Sequence, residues 1–346
     1  GLVYANQKGL TAKTLAHHGL SAYAAHPLLR TVSLDRTFYA ALSAKDFANY
    51  ASKVPDHFRF LIKAPSLFTR PLMQQSGLKD RQVTNPSFLD SVMAKNIFLQ
   101  PCLEGLGEKM GPIVFQFPPL GPPLLRNIPR LLARMAAFLA MLPRGPLYAV
   151  EVRDHQLVSR DFASCLQDAG ATPCVAVHAR MPPVDIQASA YGLTSRDHQH
   201  PIVVRWNLHA GRQYEEAKAK YAPFNELVEE DVESRISLAK LAQHAAKNGQ
   251  NVFMTVNNKA EGSAPLSVIK LAEAIVKHLL KTNRILPILP RRQTLQDRHN
   301  LCRSNMCGFL QCHPYSIERE SLCGVLSGLR NVGDISSSGF VAHYPL

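Results

Sequence analysis

The segment Leu147–Asp154 (LYAVEVRD) is an apolar run that ends in residues of opposite charge. Because side chains alternate in direction along a strand, Glu151 and Arg153 would share one face, two residues apart. Burying such a pair costs free energy unless further groups complete its hydrogen bonds. The segment therefore predicts a strand that opens into a polar site inside an apolar fold.

Other apolar segments carry polar residues at or just beyond their ends, and the same alternation selects them. They are Ser33, Asp35, Tyr39, Lys63, Gln116, His178, Arg205, Asn207, His209, Asn257 and Lys259. Arginine binds anionic groups with a planar fork of donors, and lysine binds them as a point charge. The set contains more cations than anions. It therefore predicts a site that binds a small anionic substrate, such as a phosphorylated metabolite or a sugar acid.

The same residues would allow acid–base chemistry. Glu151 or His178 would be the general acid or base, while the cations hold or stabilise negative charge. No strict catalytic motif such as G-x-S-x-G or H-E-x-x-H is present. Two alternatives therefore stay open: an enzyme that converts an anionic substrate, and a module that binds its ligand without converting it.

A divalent metal ion is a further alternative, because carboxylates and imidazoles are suitable ligands. The candidate ligands are Asp35, Glu151, His178 and His209. The surrounding cations would repel a metal ion. We therefore predict no metal, and the sequence specifies no cofactor.

The chain is strongly basic. Its 346 residues carry a net charge of +13, which favours an anionic partner, and nucleic acid is the alternative to a small molecule. The arginines at 126, 130, 134 and 144 lie on one predicted helix and its exit, which is typical of a solvated face. With no apolar stretch long enough to span a bilayer and no secretory signal pattern, we expect no membrane partner and a cytoplasmic location.

Strand-like and helical segments alternate along the chain. The predicted strands are Arg30–Tyr39, Phe58–Ala64, Pro112–Phe117, Leu147–Asp154, Pro173–His178, Ile202–His209 and Asn251–Asn257. Both faces of each are apolar, as in a parallel sheet covered by helices. A helix predicted at Leu10–His26 precedes the first strand and implies one more strand upstream. We therefore predict an α/β fold, a (β/α)8 TIM barrel that lacks its first strand.

An open doubly wound sheet is the competing architecture, but no G-x-G-x-x-G follows any strand. Ala179–Pro201 has no period and contains three prolines, which predicts a loop that covers the site.

Arg284–Leu346 has neither a helical nor a strand period. It holds four of the seven cysteines, but the spacing Cys302-x4-Cys307-x4-Cys312 does not match a zinc site. We predict a TIM-barrel domain over residues 1–283 and an irregular, cysteine-containing extension over 284–346.

Six motifs occur in a fixed order along the chain. They are Thr37–Tyr39 (TFY), Phe58–Pro65 (FRFLIKAP), Gly111–Pro119 (GPIVFQFPP), Ala149–Asp154 (AVEVRD), Val203–His209 (VVRWNLH) and Val256–Pro265 (VNNKAEGSAP). In this order they resemble the YecE-like family, or domain of unknown function 72, whose members are TIM barrels. The resemblance implies polar strand ends at Lys63, Gln116, Glu151, Arg153, Arg205, Asn257 and Asn258, with Tyr214 nearby. It implies a fold and a pocket, and no established reaction.

The chain departs from the family's pattern in two places. Ser33 and Asp35 stand where the family usually has Glu and Asn in the strand before TFY. The family's opening strand and Gly-Trp signature are absent, and Gly1–Tyr4 resembles the segment just after them. The resemblance therefore implies a barrel that is incomplete at its N terminus.

Overall fold

The fold is given by a computed structural model that describes residues 19–74, 82–195, 198–282 and 339–343. The strands are β1 (Thr31–Leu34), β2 (Arg59–Lys63), β3 (Leu72–Gln74), β4 (Gln82–Thr84), β5 (Met110–Gln116), β6 (Tyr148–Glu151), β7 (Ala171–Val177), β8 (Ile202–Trp206), β9 (Val252–Asn257) and β10 (Gly339–His343). β3 and β4 form a separate antiparallel hairpin, and the others form one sheet in the order β1-β2-β5-β6-β7-β8-β9-β10.

All neighbouring pairs in the large sheet are parallel. The seven strands from β1 to β9 follow one another in chain order and curve into a nearly closed barrel. Helices lie between successive strands and cover the outside of the sheet. The predicted α/β barrel that lacks one strand is therefore confirmed.

The short strand β10 lies in the gap between the two ends of this barrel. It pairs in parallel with β9 and also contacts β1. No strand was predicted here, because Arg284–Leu346 has neither a helical nor a strand period. The extension thus contributes one strand to the sheet, while its four cysteines lie outside the described residues.

The helices are α1 (described over 19–24), α2 (Ala44–Ala51), α3 (Ser91–Ala94), α4 (Gln100–Leu106), α5 (Pro122–Leu125), α6 (Ile128–Ala140), α7 (Arg160–Asp168), α8 (Val184–Ala190), α9 (Tyr214–Tyr221), α10 (Val232–Lys247) and α11 (Ala264–Thr282). A π-helical turn, Lys95–Leu99, joins α3 to α4. Within the part of the chain that the structure describes, no helix is long and apolar enough to cross a membrane.

Local sequence explains where several helices begin. Ser43 and Asp46 form a reciprocal capping box at α2. Asn127 accepts the Arg130 N–H at 3.0 Å at the start of α6. Each cap satisfies backbone donors that the first helical turn leaves free, so it fixes the point at which the chain turns away from the barrel mouth.

The barrel interior is filled in layers. One buried apolar layer consists of side chains from five successive strands: Leu61, Val114, Ala149, Cys174 and Val203. The larger core lies outside, between the strands and the helices. Because side chains that point the same way are two residues apart, the next inward positions are Lys63, Gln116, Glu151, Ala176 and Arg205. A polar layer therefore stands directly on an apolar one.

The predicted loop Ala179–Pro201 instead contains α8, so that prediction was wrong. Gln187 on α8 is fully buried. Its Oε1 accepts the Ala176 N–H at 3.0 Å, and its Nε2 donates to the carbonyls of Ala176 and Pro182 at 2.8 and 2.6 Å. The side-chain amide thus donates to and accepts from the backbone of β7, as the backbone of a neighbouring strand would. The prediction failed because a helix of seven residues is too short to show a period.

Replacing this amide should destabilise the protein. Gln187→Leu leaves one buried N–H and two carbonyls without their partner, so we expect a loss of about 2–4 kcal/mol in the free energy of unfolding. Urea unfolding measures it. Ile186→Ala, at a half-exposed neighbouring position, should change it little. Equal losses in the two variants would show that the Gln187 bonds do not hold α8.

A second prediction concerns β10. Val341→Pro should lower the melting temperature by at least a few degrees, because proline disrupts a strand within a sheet. Val341→Thr keeps the backbone donor and the β-branch, and should melt like the wild type. If all three proteins melt together, β10 does not support the barrel.

Candidate functional site

A cavity of about 570 Å³ opens at the carboxyl ends of the barrel strands. Every predicted site residue except Glu151 and His209 lines it: Ser33, Asp35, Tyr39, Lys63, Gln116, Arg153, His178, Arg205, Asn207, Tyr214, Asn257, Asn258 and Lys259. They converge because parallel strands in a barrel end at the same mouth. Strand alternation and the family resemblance therefore predicted where these side chains lie.

Glu151 lies beneath the cavity and has no exposed surface. Arg205 Nη1 donates to its Oε2 at 2.5 Å, Arg153 pairs with its Oε1, and Asn207 Nδ2 donates to Oε1 at 3.2 Å. Burial opposes ionisation of this carboxyl group, but Arg153 and Arg205 together lower its pKa. Glu151 is therefore an anion that holds two guanidinium groups, and its role as acid or base stays a prediction.

The two arginines differ in how completely they are paired. Besides Glu151, Arg205 bonds Gln116 Oε1 at 3.2 Å and lies 3.7 Å from Asp35 Oδ1. Burial alone would lower the pKa of Arg205, but Glu151 and Asp35 raise it. Arg153 Nη1 and Arg205 Nε have no hydrogen-bond partner among the described residues. Both atoms are themselves buried, so each leaves an N–H donor unsatisfied beneath the surface of the cavity.

Lys63, at the end of β2, is the least compensated charge of the site. Its side chain is 8% exposed, and Nζ lies 3.5 Å from the centroid of the Phe38 ring. Within the described part of the chain, Lys63 takes part in no ion pair. Burial, reinforced by Arg205, lowers its pKa to about 8. Lys63 therefore lines the cavity, and its amine loses its proton more readily than the amine of an exposed lysine does.

His178 follows β7 and lines the cavity. Its Nδ1 accepts the Arg180 N–H at 3.3 Å. Burial and the charge of Arg153 lower the pKa of His178 to about 4, so the ring is neutral at pH 7. Because Nδ1 accepts, Nε2 carries the proton and is a donor. A role in acid–base catalysis stays a prediction.

Aromatic side chains stand at the rim of the cavity. Tyr39 is 81% exposed and Tyr214 is 51% exposed. Lys259 Nζ lies 4.6 Å from the Tyr214 ring centroid and 5.9 Å from that of Phe224. Asn258 is tied to the fold, since its Oδ1 accepts the Ala264 N–H at the start of α11 at 2.9 Å. The rim therefore combines an immobilised cation with exposed rings.

His209 does not join the site. Strand β8 ends at Trp206, so the alternation that selected His209 no longer applies there. Its Nδ1 instead accepts the Gly211 N–H at 3.1 Å. The four candidate metal ligands are thus not brought together. The described residues contain no group of three or more His, Cys, Asp or Glu side chains placed to hold a metal ion.

Sequence reasoning missed several lining residues, notably Arg36, Arg180, Phe224 and the pair Pro118–Pro119. Arg36, Arg180 and the two prolines lie beyond strand ends, where a period of two carries no information. Proximity to a strand end was the available signal: Arg36 follows β1 and Pro118 follows β5 within two residues. Phe224 offered no such signal, because it follows α9.

A model of the family described as Protein of unknown function DUF72 matches residues 3–293. The chain belongs to the DUF72 family. The match continues past Arg284, where the sequence analysis ended the barrel domain. The YecE-like resemblance is thereby confirmed.

A DUF72 family protein from Enterococcus faecalis V583 has a solved structure similar to this chain. The two are 16% identical with a TM-score of 0.53, over 80% of this chain and 92% of the other. A DUF72 family protein from Thermotoga maritima MSB8 is also 16% identical, with a TM-score of 0.45 over 73% and 85% of the two chains. A search of curated proteins found no match. At this identity, the Enterococcus protein shows a shared fold alone.

The buried ammonium group of Lys63 should lower the free energy of unfolding. Burial holds the Lys63 pKa at about 8 instead of 10.5, and one unit is worth about 1.4 kcal/mol. Lys63→Met should therefore raise the free energy of unfolding at pH 7 by about 1–3 kcal/mol.

The gain should depend on pH with a defined sign. Between pH 8 and 10.5 the unfolded chain binds a proton that the folded chain has released, so wild-type stability rises with pH through this window. The advantage of Lys63→Met is complete below pH 8 and lost above 10.5. Urea unfolding at both ends measures it, with Lys240→Met on the exposed face of α10 as control. A gain of equal size at both ends would contradict the buried-ammonium interpretation.

Proposed function

We propose that the cavity binds a small anionic molecule, such as a phosphorylated metabolite or a sugar acid. The observation that carries this proposal is Lys63, a buried ammonium group that lines the cavity and forms no ion pair with the described residues. Buried charges in proteins are normally paired. A buried cation that has no ion-pair partner among the described residues, at the wall of a cavity, therefore predicts that the ligand supplies negative charge.

The charge balance of the cavity supports an anion. The cations of the lining are Arg36, Lys63, Arg153, Arg180, Arg205 and Lys259. Asp35 is the only carboxylate among the described lining residues, and Glu151 lies beneath them. Electrostatic attraction in a partly dry cleft is stronger than in water, so this excess favours the binding of a phosphate or carboxylate group.

The donors are of the types that bind oxyanions. Arg153 lines the cavity and is held by Glu151 through Nη2. The neutral ring of His178 carries an Nε2–H donor. Because Arg153 is fixed by a buried contact, it would bind an anion without losing much side-chain entropy. The cavity volume also lies within the usual range of small-molecule sites.

Two alternatives follow from anion binding. We propose either that the protein is an enzyme that converts the bound anion, or that it is a module that binds the anion without converting it. Nucleic acid is a separate candidate that the basic chain allows. The arginines at 130 and 134 are exposed on α6, outside the cavity lining, and Arg134 stacks on Phe88 at 5.3 Å. These positions favour a solvated face over an extension of the site, so we prefer the small molecule.

Calorimetry on the full chain tests the proposal with inorganic phosphate, 3-phosphoglycerate and gluconate, and with glucose as the neutral control. We expect saturable binding of at least one anion, and none of glucose. Lys63→Met should weaken that binding about 10- to 100-fold, the equivalent of one charge-assisted hydrogen bond. Arg130→Ala removes the same charge from α6 and should bind like the wild type.

Equal losses in Lys63→Met and Arg130→Ala would mean that only net charge matters, which contradicts a specific site. A short single-stranded oligonucleotide is included at two salt concentrations. If only the oligonucleotide binds, and its affinity falls steeply with salt, the result would favour nucleic acid as the partner instead.

A further inference from the structure

Lys63 combines three features that a simple anion-binding lysine does not need. It is buried, it stands on a rigid strand rather than a loop, and its amine contacts an aromatic ring instead of a carboxylate. By contrast, Lys259 on the rim lies in a loop between two aromatic rings. An amine held in this way, at the wall of a cavity, has the surroundings of a nucleophile.

We propose that Lys63 forms an imine with the carbonyl group of an anionic substrate, such as a 2-oxo acid or a phosphorylated ketose. This inference rests on the proposed function, because the anionic group is what would place the carbonyl carbon against Nζ. It names the class of substrate: a small molecule with both a negative group and an aldehyde or ketone.

The electrostatic surroundings favour the neutral amine that such a reaction requires. The groups that act on Lys63 are the cations Arg205 and Arg153 and the carboxylates Asp35 and Glu151. Glu151 is already bonded by both arginines, and Asp35 accepts the Ser33 hydroxyl at 2.7 Å. Burial and the nearby guanidinium of Arg205 keep the pKa near 8. A useful fraction of the amine is thus unprotonated close to neutral pH.

The cations of the cavity are also placed to orient such a substrate. Arg153 and His178 both line the cavity. A carboxylate or phosphate bonded to these groups would be fixed while the carbonyl end stays free. Fixing both reactants converts a bimolecular step into an intramolecular one.

The step balances without an oxidant or reductant. The Nζ lone pair forms a bond to the carbonyl carbon, and the carbonyl π pair moves to its oxygen. One proton passes from nitrogen to that oxygen to give the carbinolamine. The nitrogen pair then forms the C=N bond as the hydroxyl group takes a second proton and leaves as water. Asp35, the carboxylate of the described lining, is the residue that we assign to take the proton that the Lys63 ammonium first releases and to return it to the leaving hydroxyl, so the step ends in a protonated imine and water.

Reductive trapping on the full chain tests the inference. The protein is incubated with sodium cyanoborohydride and, in separate arms, pyruvate, dihydroxyacetone phosphate or uncharged dihydroxyacetone. We expect one adduct whose added mass is that of an anionic carbonyl compound without its oxygen atom, mapped by peptide sequencing to Lys63. Dihydroxyacetone should label far more slowly, and lactate, an anion without a ketone, should protect the site.

Lys63→Arg keeps the positive charge and should retain anion binding while labelling at residue 63 is lost. Lys240→Arg, on the exposed face of α10, should label like the wild type. Peptide mapping of the wild type identifies the site even if Lys63→Arg does not fold.

The outcomes separate this inference from the proposed function. Phosphate binding by calorimetry without any trapped adduct overturns the imine and leaves the anion site standing. Adducts spread over exposed lysines, at the same rate with and without lactate, also overturn it. Absence of both binding and trapping removes the proposed function together with this inference.

Discussion

The polar interior of this barrel depends on one buried carboxylate. Glu151 is inaccessible to water, and its two oxygens are bonded by Arg153, Arg205 and Asn207. Removing one partner from a buried ion pair leaves an uncompensated charge, which costs about 3–5 kcal/mol. The strands β6 and β8 must therefore keep their register for the arrangement to exist. Conversely, the fixed carboxylate holds both guanidinium groups at the floor of the cavity.

The charge count around Glu151 explains the state of Lys63. Two arginines already satisfy Glu151, and Asp35 is bonded to Ser33 and lies beside Arg205. The third buried cation is thus in excess, and it rests against Phe38. An excess charge lowers the stability of the free protein, and the proposed anionic ligand would offset that cost. The imbalance that weakens the fold would then strengthen binding.

Most of this arrangement was predictable from alternation. Lys63, Gln116 and Arg205 each stand two residues beyond an apolar interior residue, so a period of two is enough to find them. The burial of Glu151 below the cavity was not predictable, because it depends on partners from other strands. His209 was misplaced because β8 ends three residues earlier. α8 was missed because its seven residues are too short to show a helical period, and β10 was missed because Arg284–Leu346 has no strand period.

Asp35 shows how a departure from the family's pattern is accommodated. The resemblance puts Ser33 and Asp35 where Glu and Asn are usual, so the carboxylate is displaced along β1 toward the cavity mouth. Ser33 Oγ donates to Asp35 Oδ1 at 2.7 Å, which fixes the shorter side chain, and Arg205 Nη2 lies 3.7 Å away. Asp35 is about one-quarter exposed, whereas Glu151 is wholly buried. Since a group that exchanges protons with a ligand must reach it, the exposed carboxylate is better placed for that role than the buried one.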